Sequence, residues 1–489
     1  MSYFDLHLHP STKPFLTAEA ASYKTNCWEK IPNNINIIDS QSCLNQITQG
    51  GVSVAVAGIY PLERAFSTNF ILRHIAPSIT ALDGKFLNNI NAGAYTYFSL
   101  LQDEITHLAN SQNFKNKKFK IVNSAHDFDP SCLNIILAIE GGHALDGGAG
   151  SYLENLGSLK EGPNAFLYLT LTHLTHFDLC THAFGMKLIN NNAFKPQGRG
   201  ISPAGYDVID TAYDSSAGKR MLIDIKHMSL LSRLEFYEYR KKKQYEQIPI
   251  VASHAAATGI SYKSLPSLMR KAPKATELFV RVKYRKPEGI SDKKRLRGYR
   301  THFNPWSINL FDEDIQEIIS SGGLIGLSLD QRIVGADGVA AEFFSRKEFD
   351  VLFPRKKVDQ VMNLPDEDTE EAEEREYELE HNLKLTESFT INSKKHTRHL
   401  CNNILHFVKV GGPSTWKHLC IGSDFDGLIN PVNSCTSASH YAYLEQDMLE
   451  RLEEMTEERK EEFHITDLKA HVRDIMYKNA MEFLSRHFV

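Results

Sequence analysis

The sequence lacks the patterned cysteines, the long apolar runs and the charge excess that characterise several classes of protein. Its seven cysteines are scattered singly, without a Cys-x-x-Cys pair, and this favours reduced thiols over a disulfide framework. No apolar run is long enough to span a membrane, and because the first predicted strand begins at residue 3, we expect no signal peptide. A formal net charge of −5 over 489 residues argues against a nucleic-acid-binding or membrane-surface protein. We therefore expect a cytoplasmic protein that binds neither nucleic acid nor membrane.

Eight short apolar runs are distributed along the chain and predict eight β-strands. Most are continuous runs of Val, Ile, Leu and Ala, as expected of strands buried on both faces of a parallel sheet. Helical stretches lie between them, such as residues 312–321, where acids fill the first turn and glycines follow the last. This alternation predicts a single (β/α)₈ TIM barrel over residues 1–489. The predicted strands cover about residues 3–9, 52–59, 133–140, 165–173, 221–227, 248–254, 323–330 and 418–424.

Three segments are longer or more charged than a minimal barrel needs, and we interpret them as insertions at about 60–130, 262–303 and 335–395. The second is rich in Lys and Arg, and the third carries the acidic run 366–376. Both charge runs fit solvated helix faces or loops. The alternative is that they contact each other, within one subunit or across a dimer.

The C-terminal part of the chain, 440–489, has a strongly helical pattern. A threonine precedes the last amphipathic stretch, so we predict a helix N-cap at Thr466.

Polar side chains with metal-binding or acid–base chemistry stand at the ends of six of the eight predicted strands. Since the carboxyl ends of barrel strands meet on the face that carries active sites, we expect these side chains to lie together. This set predicts a barrel of the metal-dependent hydrolase type. The residues are His7, His9, Glu140, His173, His227, His254 and Asp424.

The imidazoles and the glutamate of this set can hold two divalent ions. His7 and His9, two positions apart on one strand, point the same way and can bind one ion. His227 and His254, at the ends of neighbouring strands, can bind a second, and Glu140 has two oxygens with which to bridge both. Zinc is the default metal for such ligands, and manganese, iron or cobalt fit them as well.

The remaining two residues have the chemistry of catalytic groups. A hydroxide held between two ions would be a strong nucleophile at neutral pH, because each ion lowers the pKa of bound water from 15.7 towards about 7. Asp424 would hold that hydroxide and pass its proton to the leaving group. His173 would stabilise the oxygen of the scissile carbonyl as it becomes negative. We interpret the polar residues nearby as structural or supporting: His143, His176, His182 and Asp426.

Several motifs, in order along the chain, resemble the membrane (renal) dipeptidase family, peptidase family M19 of the amidohydrolase superfamily. The resemblance implies a barrel with two zinc ions, a bridging Glu140, hydrolysis of dipeptides (often with a D-residue at the C-terminus) and a dimer. It also implies that His173 and Asp424 contact the substrate. The motifs are Ile139-Glu-Gly-Gly-His143, Leu171-Thr-His173, Gly200-Ile-Ser-Pro-Ala-Gly205, Leu222-Ile-Asp-Ile-Lys-His-Met-Ser229, Ser253-His254 and Gly422-Ser-Asp-Phe-Asp-Gly427.

Two positions depart from the family pattern. The family has His-x-Asp in its first strand, whereas this chain has His7 and His9, so the site loses one negative charge. The family's Arg-Asn-x-x-Asp, whose Arg binds the dipeptide carboxylate, aligns with a segment that begins at Ile308. An isoleucine cannot replace a bidentate, charge-assisted contact. Either the substrate lacks that carboxylate, or another cation binds it, for which the nearby candidates in sequence are Arg297, Arg300 and Arg332.

Three functional hypotheses follow from these residues. The first is a binuclear, zinc-dependent hydrolase of dipeptides or related small amides. Its variant is an amidohydrolase that acts on a substrate other than a dipeptide. The second is a phosphoesterase of the polymerase-and-histidinol-phosphatase type, which the opening Phe4-Asp-Leu-His-Leu-His-Pro10 resembles. The end of the chain speaks against it, since an Asp-x-His is expected where Gly-Ser-Asp-Phe-Asp-Gly stands. The third is a barrel without catalysis that serves as a binding or assembly protein, which the missing arginine and the charged insertions favour.

Overall fold

The chain was analysed as a computed structural model, in which the described residues fall into twelve segments. The acidic run 366–376 and the basic residues 293–297 lie outside them, so the structure tests neither interpretation of the charged insertions, as solvated faces or loops or as a mutual contact. The segments are 2–17, 26–31, 39–67, 82–114, 117–148, 151–186, 191–216, 218–270, 273–290, 300–337, 341–353 and 389–489.

Eight parallel strands form the central sheet, and each corresponds to one of the eight predicted strands. They pair in the order β1-β2-β5-β6-β7-β8-β11-β13. The predicted barrel fold is therefore confirmed. The strands are β1 (Tyr3–Leu8), β2 (Val52–Ile59), β5 (Leu133–Ile139), β6 (Phe166–Thr170), β7 (Leu222–Asp224), β8 (Val251–Ala255), β11 (Leu324–Leu327) and β13 (Leu419–Ile421).

The two ends of this sheet meet just beyond β1 and β13. The backbone N–H of His9 donates to the Phe425 carbonyl at 2.9 Å, and the N–H of Asp424 donates to the His7 carbonyl at 2.9 Å. These bonds bring the C-terminal ends of the first and last strands together.

The barrel interior is apolar because the strands themselves are apolar on both faces. Every residue of β5 (sequence Leu-Asn-Ile-Ile-Leu-Ala-Ile) and every residue of β1 is buried. Strands of this composition must be covered on the outside by helices and filled on the inside by side chains. The polar groups that end these strands therefore lie beyond this apolar filling, at the C-terminal face of the barrel.

Helices cover the outside of the sheet, and several begin at the capping residues that their sequences predict. The Ser202 side chain accepts from Gly205 N with Pro203 in the first turn, and the Ser229 side chain accepts from Ser232 N. The α-helices are Thr12–Phe15, Leu44–Gln49, Arg64–Ser67, Gly84–Asn91, Tyr97–Asn110, Tyr152–Glu161, Pro203–Tyr213, Leu230–Lys243, Asp312–Ser320, Arg346–Leu352, Phe389–Gly411, Tyr441–Thr456, Leu468–Arg473 and Asn479–His487.

The predicted N-cap of the helix Leu468–Arg473 is wrong by one residue. Asp467, not Thr466, caps it, because the Asp467 carboxylate accepts from Ala470 N at 3.0 Å. Asp and Thr are both good caps, so the sequence pattern alone did not separate the two.

The segments interpreted as insertions contain short strands of their own. β4 (Lys117–Ile121) pairs in parallel with β5, and β3 (Asn113–Phe114) pairs with β4. A separate sheet is formed by β9 (Lys274–Ala275), β10 (Phe279–Val282) and β12 (Glu342–Ser345). Within the described residues, no helix is both long enough and apolar enough to cross a membrane.

Candidate metal centre

The five residues predicted as metal ligands come together around the carboxylate of Glu140, just beyond the C-terminal end of β5. Oε1 of Glu140 lies 3.3 Å from Nε2 of His7 and 3.3 Å from Nε2 of His227. Its Oε2 lies 3.2 Å from Nε2 of His9. Nε2 of His254 lies 3.7 Å from Oε1. One carboxylate therefore touches imidazoles from both sides of the cluster.

The rings of His7 and His9 are each fixed by a hydrogen bond at the nitrogen away from Glu140. Nδ1 of His7 lies 2.7 Å from the Tyr168 hydroxyl, which donates its own hydrogen to the Leu6 carbonyl at 2.9 Å. Nδ1 of His9 lies 2.8 Å from the Gly58 carbonyl, which can only accept. Both rings therefore carry hydrogen on Nδ1 and direct the Nε2 lone pair inwards. A side chain at Gly58 would press on both rings, since its Cβ would lie 2.8 Å from Cε1 of His7.

His254 and His227 form the other side of the cluster, and only the first of them has such support. Nδ1 of His254 lies 2.8 Å from Oγ of Ser253, which donates to Asp224 at 2.6 Å. Nδ1 of His227 is buried and has no hydrogen-bond partner among the described residues. His227 also has a φ of 66°, in the left-handed region that non-glycine residues rarely adopt.

The donor set fits two divalent cations. Nε2 atoms meet in pairs, at 3.1 Å for His7 and His9 and at 3.2 Å for His227 and His254. Two inward lone pairs at that distance repel each other unless a proton or a cation lies between them. Each pair forms, with Glu140, a group whose ligand atoms lie within 4.8 Å of one another. Neutral imidazole and carboxylate are the ligands that Zn²⁺ and other first-row divalent ions prefer.

The charge on Glu140 agrees with such a role. Burial raises the pKa of this carboxyl, but the imidazoles of His173, His7 and His9 outweigh it and bring the pKa well below its usual range. The carboxylate is therefore ionised at neutral pH, as a bridging ligand must be.

Asp424 follows β13 and faces the gap between the two pairs of imidazoles. Its Oδ1 lies 3.6 Å from Nε2 of His9, and its Oδ2 lies 3.9 Å from Nε2 of His254. Like His227, it has a left-handed backbone, with φ of 63°. Burial raises the pKa of Asp424 above its usual value despite the opposing contact with His9. A carboxyl with these neighbours can accept and release a proton nearer to neutral pH than an exposed one.

His173 lies beside the cluster and is held by Glu63, a residue that the sequence analysis did not identify. Nδ1 of His173 lies 3.0 Å from Oε2 of Glu63, and its Nε2 lies 3.7 Å from Oε1 of Glu140. Glu63 also accepts from the Thr175 N–H and hydroxyl and from the Tyr60 hydroxyl. Burial raises the pKa of Glu63, but the contacts with His173, His143 and the Tyr60 hydroxyl together bring it well below its usual value, so this carboxylate is ionised. It thus holds the Nδ1–H of His173 and directs Nε2 into the site.

Two further buried aspartates were missed, and each positions the residue before a member of the cluster. Asp224 accepts from the N–H of Ser253 at 3.0 Å and from its hydroxyl at 2.6 Å. Asp5 accepts from the N–H of Ser423 at 3.0 Å and also from its hydroxyl. The pattern is the same on both sides, because Ser253 precedes His254 and Ser423 precedes Asp424. An acid inside a buried apolar strand, as at both aspartates, was the sequence signal for them.

The residues interpreted as structural or supporting have contacts of their own near the cluster. His143 Nε2 contacts the Pro61 carbonyl at 2.8 Å, and His182 is fully buried away from Glu140. The side chain of His176 is 43% exposed. Asp426 accepts from Lys13 at 2.6 Å and from the backbone N–H groups at 41 and 42, so its carboxylate is fully used outside the cluster.

A cavity of about 120 Å³ opens onto the cluster and has mostly apolar walls. Ile308, at the position where the family resemblance expects an arginine, contributes one of these walls. Of the three alternative arginines, Arg332 lines the cavity, Arg300 is paired with Glu288, and Arg297 lies outside the described residues. The apolar lining includes Leu16, Leu62, Phe66, Met186, Ile333 and Leu428.

The same cavity contains a lysine that the sequence analysis did not single out. Lys226 is 3% exposed and lines the cavity next to His227. Burial lowers its pKa to about 8, against the opposing effects of Asp424, Asp224 and Asp330.

Comparisons with known proteins place the fold among metallopeptidase structures. No protein-family model and no curated protein matches the chain. Among solved structures, a metallopeptidase from Rhodobacter sphaeroides, liganded with a phosphinate mimic of the dipeptide L-Ala-D-Ala, is 14% identical with a TM-score of 0.53, covering 100% of this chain and 99% of its own. The dipeptidase AC, a metallopeptidase of family M19, is 14% identical with a TM-score of 0.51 and the same coverage.

A third structure is that of the probable dipeptidase PvdM from Pseudomonas aeruginosa. It is 14% identical with a TM-score of 0.51, and the match covers 92% of this chain and 89% of that one. At this identity the likeness concerns the fold. The chain described here has the same barrel fold as these three proteins.

Proposed function

We propose that this protein is a binuclear metal-dependent hydrolase that cleaves the amide bond of dipeptides or related small amides. One observation carries the proposal: four imidazoles direct their Nε2 atoms at one ionised carboxylate, in two pairs 3.1 Å and 3.2 Å apart. Burying these nitrogen lone pairs and the carboxylate charge together is unfavourable unless cations are bound between them. The three fold neighbours, a probable dipeptidase, a dipeptidase and a metallopeptidase liganded with a dipeptide mimic, support the same class of activity.

In this proposal each ion has its own pair of imidazoles, and Glu140 is shared. His7 and His9 hold one ion, and His227 and His254 hold the other. Two divalent ions, with zinc as the default, supply Lewis-acid activation of a water molecule and of the amide carbonyl. The hydrogen bonds at Nδ1 keep three of the four rings in the tautomer that such binding requires.

Asp424 and His173 are the proposed groups that act on the substrate. Oδ2 of Asp424 faces the gap between the imidazole pairs, where it takes the proton of the attacking water and passes it to the amide nitrogen that leaves. Nε2 of His173, aligned by Glu63, contacts the carbonyl oxygen of the bond to be cleaved. Both side chains line the cavity in which a small amide would lie.

Metal analysis combined with a hydrolysis assay tests this proposal. The protein should contain about two zinc ions per chain and hydrolyse members of a small panel of L,L- and L,D-dipeptides. Two metals without turnover of any dipeptide would redirect the assay to amides of other kinds. Fewer than one metal per chain, unrecovered on adding zinc, would contradict the proposal and favour the non-catalytic barrel.

A further inference from the structure

Three cationic side chains line the cavity, and two of them are already paired. Nζ of Lys13 lies 2.6 Å from Oδ1 of Asp426 and 2.8 Å from the Asp39 carbonyl. Arg332 binds Asp330 through two nitrogens, at 3.0 Å and 2.6 Å. Nζ of Lys226 has no hydrogen-bond partner in the part of the chain that the structure describes. Among these three side chains, Lys226 is thus the one whose terminal nitrogen makes no hydrogen bond to the described residues.

The backbone explains why Lys226 faces the cavity together with its neighbour. Successive residues of a strand point to opposite faces, yet Lys226 and His227 both line the cavity. Strand β7 ends at Asp224, whose Oδ1 accepts from the Lys226 N–H at 3.0 Å. The left-handed φ of 66° at His227 then breaks the alternation. Two adjacent side chains are therefore presented to the same space.

A buried ammonium without hydrogen bonds is unfavourable unless a ligand provides them. Carboxylates around Lys226, chiefly that of Asp424, favour its charged form. In the proposed hydrolase, Asp424 and Glu140 would work at the metal ions, and Asp330 is already bound to Arg332. None of these three carboxylates is then left to pair with the ammonium of Lys226.

The rest of the cavity limits what can meet this charge. Its walls are formed by side chains such as Phe66, Met186 and Ile308, which offer no hydrogen bonds. An anionic group of the substrate would be drawn to the ammonium, and the rest of the substrate would contact apolar walls. A carboxylate has the charge and the acceptor oxygens for this contact.

We propose that Lys226 binds a carboxylate of the substrate and selects small apolar amides that carry this group over neutral ones. This inference rests on the proposed hydrolase function and names its substrate class. Lys226 is here a specificity residue. Because it binds the carboxylate, no second cation is needed at the position of Ile308.

A pair of substrates that differ in one group tests the inference. We expect the metal-loaded protein to hydrolyse Ala-Leu with a kcat/KM at least about 30-fold above that for Ala-Leu-amide, because one charge-assisted contact is lost in the amide. In Lys226→Met, which has a similar length and no charge, this ratio should fall to about 3 or less, mainly through a higher KM for Ala-Leu. The matched control is Lys241→Met, an exposed lysine whose Nζ lies 2.8 Å from Glu317, and it should keep the ratio.

A binding measurement provides a readout that does not depend on turnover. By isothermal titration, the wild-type protein should bind N-acetyl-leucine at least about 10-fold more tightly than N-acetyl-leucinamide, and Lys226→Met should bind both equally. Circular dichroism and metal content show whether the variant is folded. If Lys226→Met does not fold, Lys226→Gln replaces it in both measurements, since glutamine keeps a polar end without the charge.

The outcomes separate this inference from the proposed function. Hydrolysis of both substrates at equal kcat/KM, or a preference for the acid that persists without Lys226, would overturn the inference and leave the hydrolase intact. If neither substrate is cleaved but the selective binding of N-acetyl-leucine depends on Lys226, the anion site stands and the peptide hydrolase does not.

Discussion

Two pairs of imidazoles face the same Glu140 carboxylate, but they are held there by different means. One pair stands at the end of β1, and the other consists of His227, which follows β7, and His254 in β8. His7 and His9 each have a hydrogen bond at Nδ1, to Tyr168 and to the Gly58 carbonyl. On the other side, His227 has a strained backbone and no partner at Nδ1 among the residues described. In the proposed hydrolase, the first pair would therefore be preorganised for its ion, whereas the second would depend on the ion to hold one of its rings.

The two proposed metal positions should therefore differ in their affinity for an ion. A preorganised pair loses little freedom on binding, while a ring without support must be ordered by the ion itself. We expect the position of His227 and His254 to release its ion first when a chelator is added.

Removing the shared carboxylate should empty both metal positions. Glu140→Gln keeps the shape of the side chain but removes the negative charge that contacts both pairs. We expect the variant to lose both ions and all measurable amide hydrolysis, as read by elemental analysis and a dipeptide assay. Two ions per chain in this variant would show that Glu140 does not bridge.

Changing the acid between the pairs should affect turnover and leave both positions filled. In Asp424→Asn, the group that accepts and passes the proton is lost, and the rate should fall by about 10²–10⁴-fold. Metal content should remain that of the wild type, because the imidazoles and Glu140 are intact. A normal rate would remove Asp424 from the mechanism.

Removing the unsupported ring should empty one position only. We expect His227→Ala to retain one ion per chain, bound by His7 and His9, and to lack the early phase of metal release to a chelator. A full load of two ions would contradict the assignment of His227. The converse variant His9→Ala serves as the comparison, since it should lower the content of the better-supported position.

The smallest effect is expected from the hydrogen bonds behind the rings. Tyr168→Phe removes the acceptor of the His7 Nδ1–H and should weaken the first position by about 10–100-fold in metal affinity. Ser253→Ala should do the same for the position of His254. Tyr213→Phe, which alters a buried tyrosine bound to Arg240 instead, is the matched control and should leave metal affinity unchanged. Equal effects of Tyr168→Phe on both positions would mean that the pairs are not independent.

The barrel and its polar strand ends could be predicted because both are local in sequence. Each strand is a continuous apolar run, and each cluster residue stands where such a run ends, as Glu140 does after β5. The assignment of roles to these residues stays a prediction that the experiments above address.

The supporting residues could not be predicted, because their partners are far away in the chain. Glu63 lies in the irregular segment after β2 and acquires its role through His173, 110 positions later. Asp5 acts on Ser423, 418 positions away. Lys226 faces the cavity because of the backbone conformation at His227, which the residue types do not indicate. Contacts of this range arise from the tertiary fold alone.

The closure of the barrel ties the cluster to the completion of folding. β1 meets the segment after β13 through the backbone bonds of His9 and Asp424, so the first and last strands pair across almost the whole chain. Contacts of such long sequence separation form late, because the entropy of closing the loop must be overcome first. Asp424 can therefore join the imidazoles of β1 only after the last strand has been synthesised and has paired with β1. The metal ligands of the proposed site all precede Asp424 in the chain, so closure of the barrel would complete the proton-transfer group of that site and not its metal ligands.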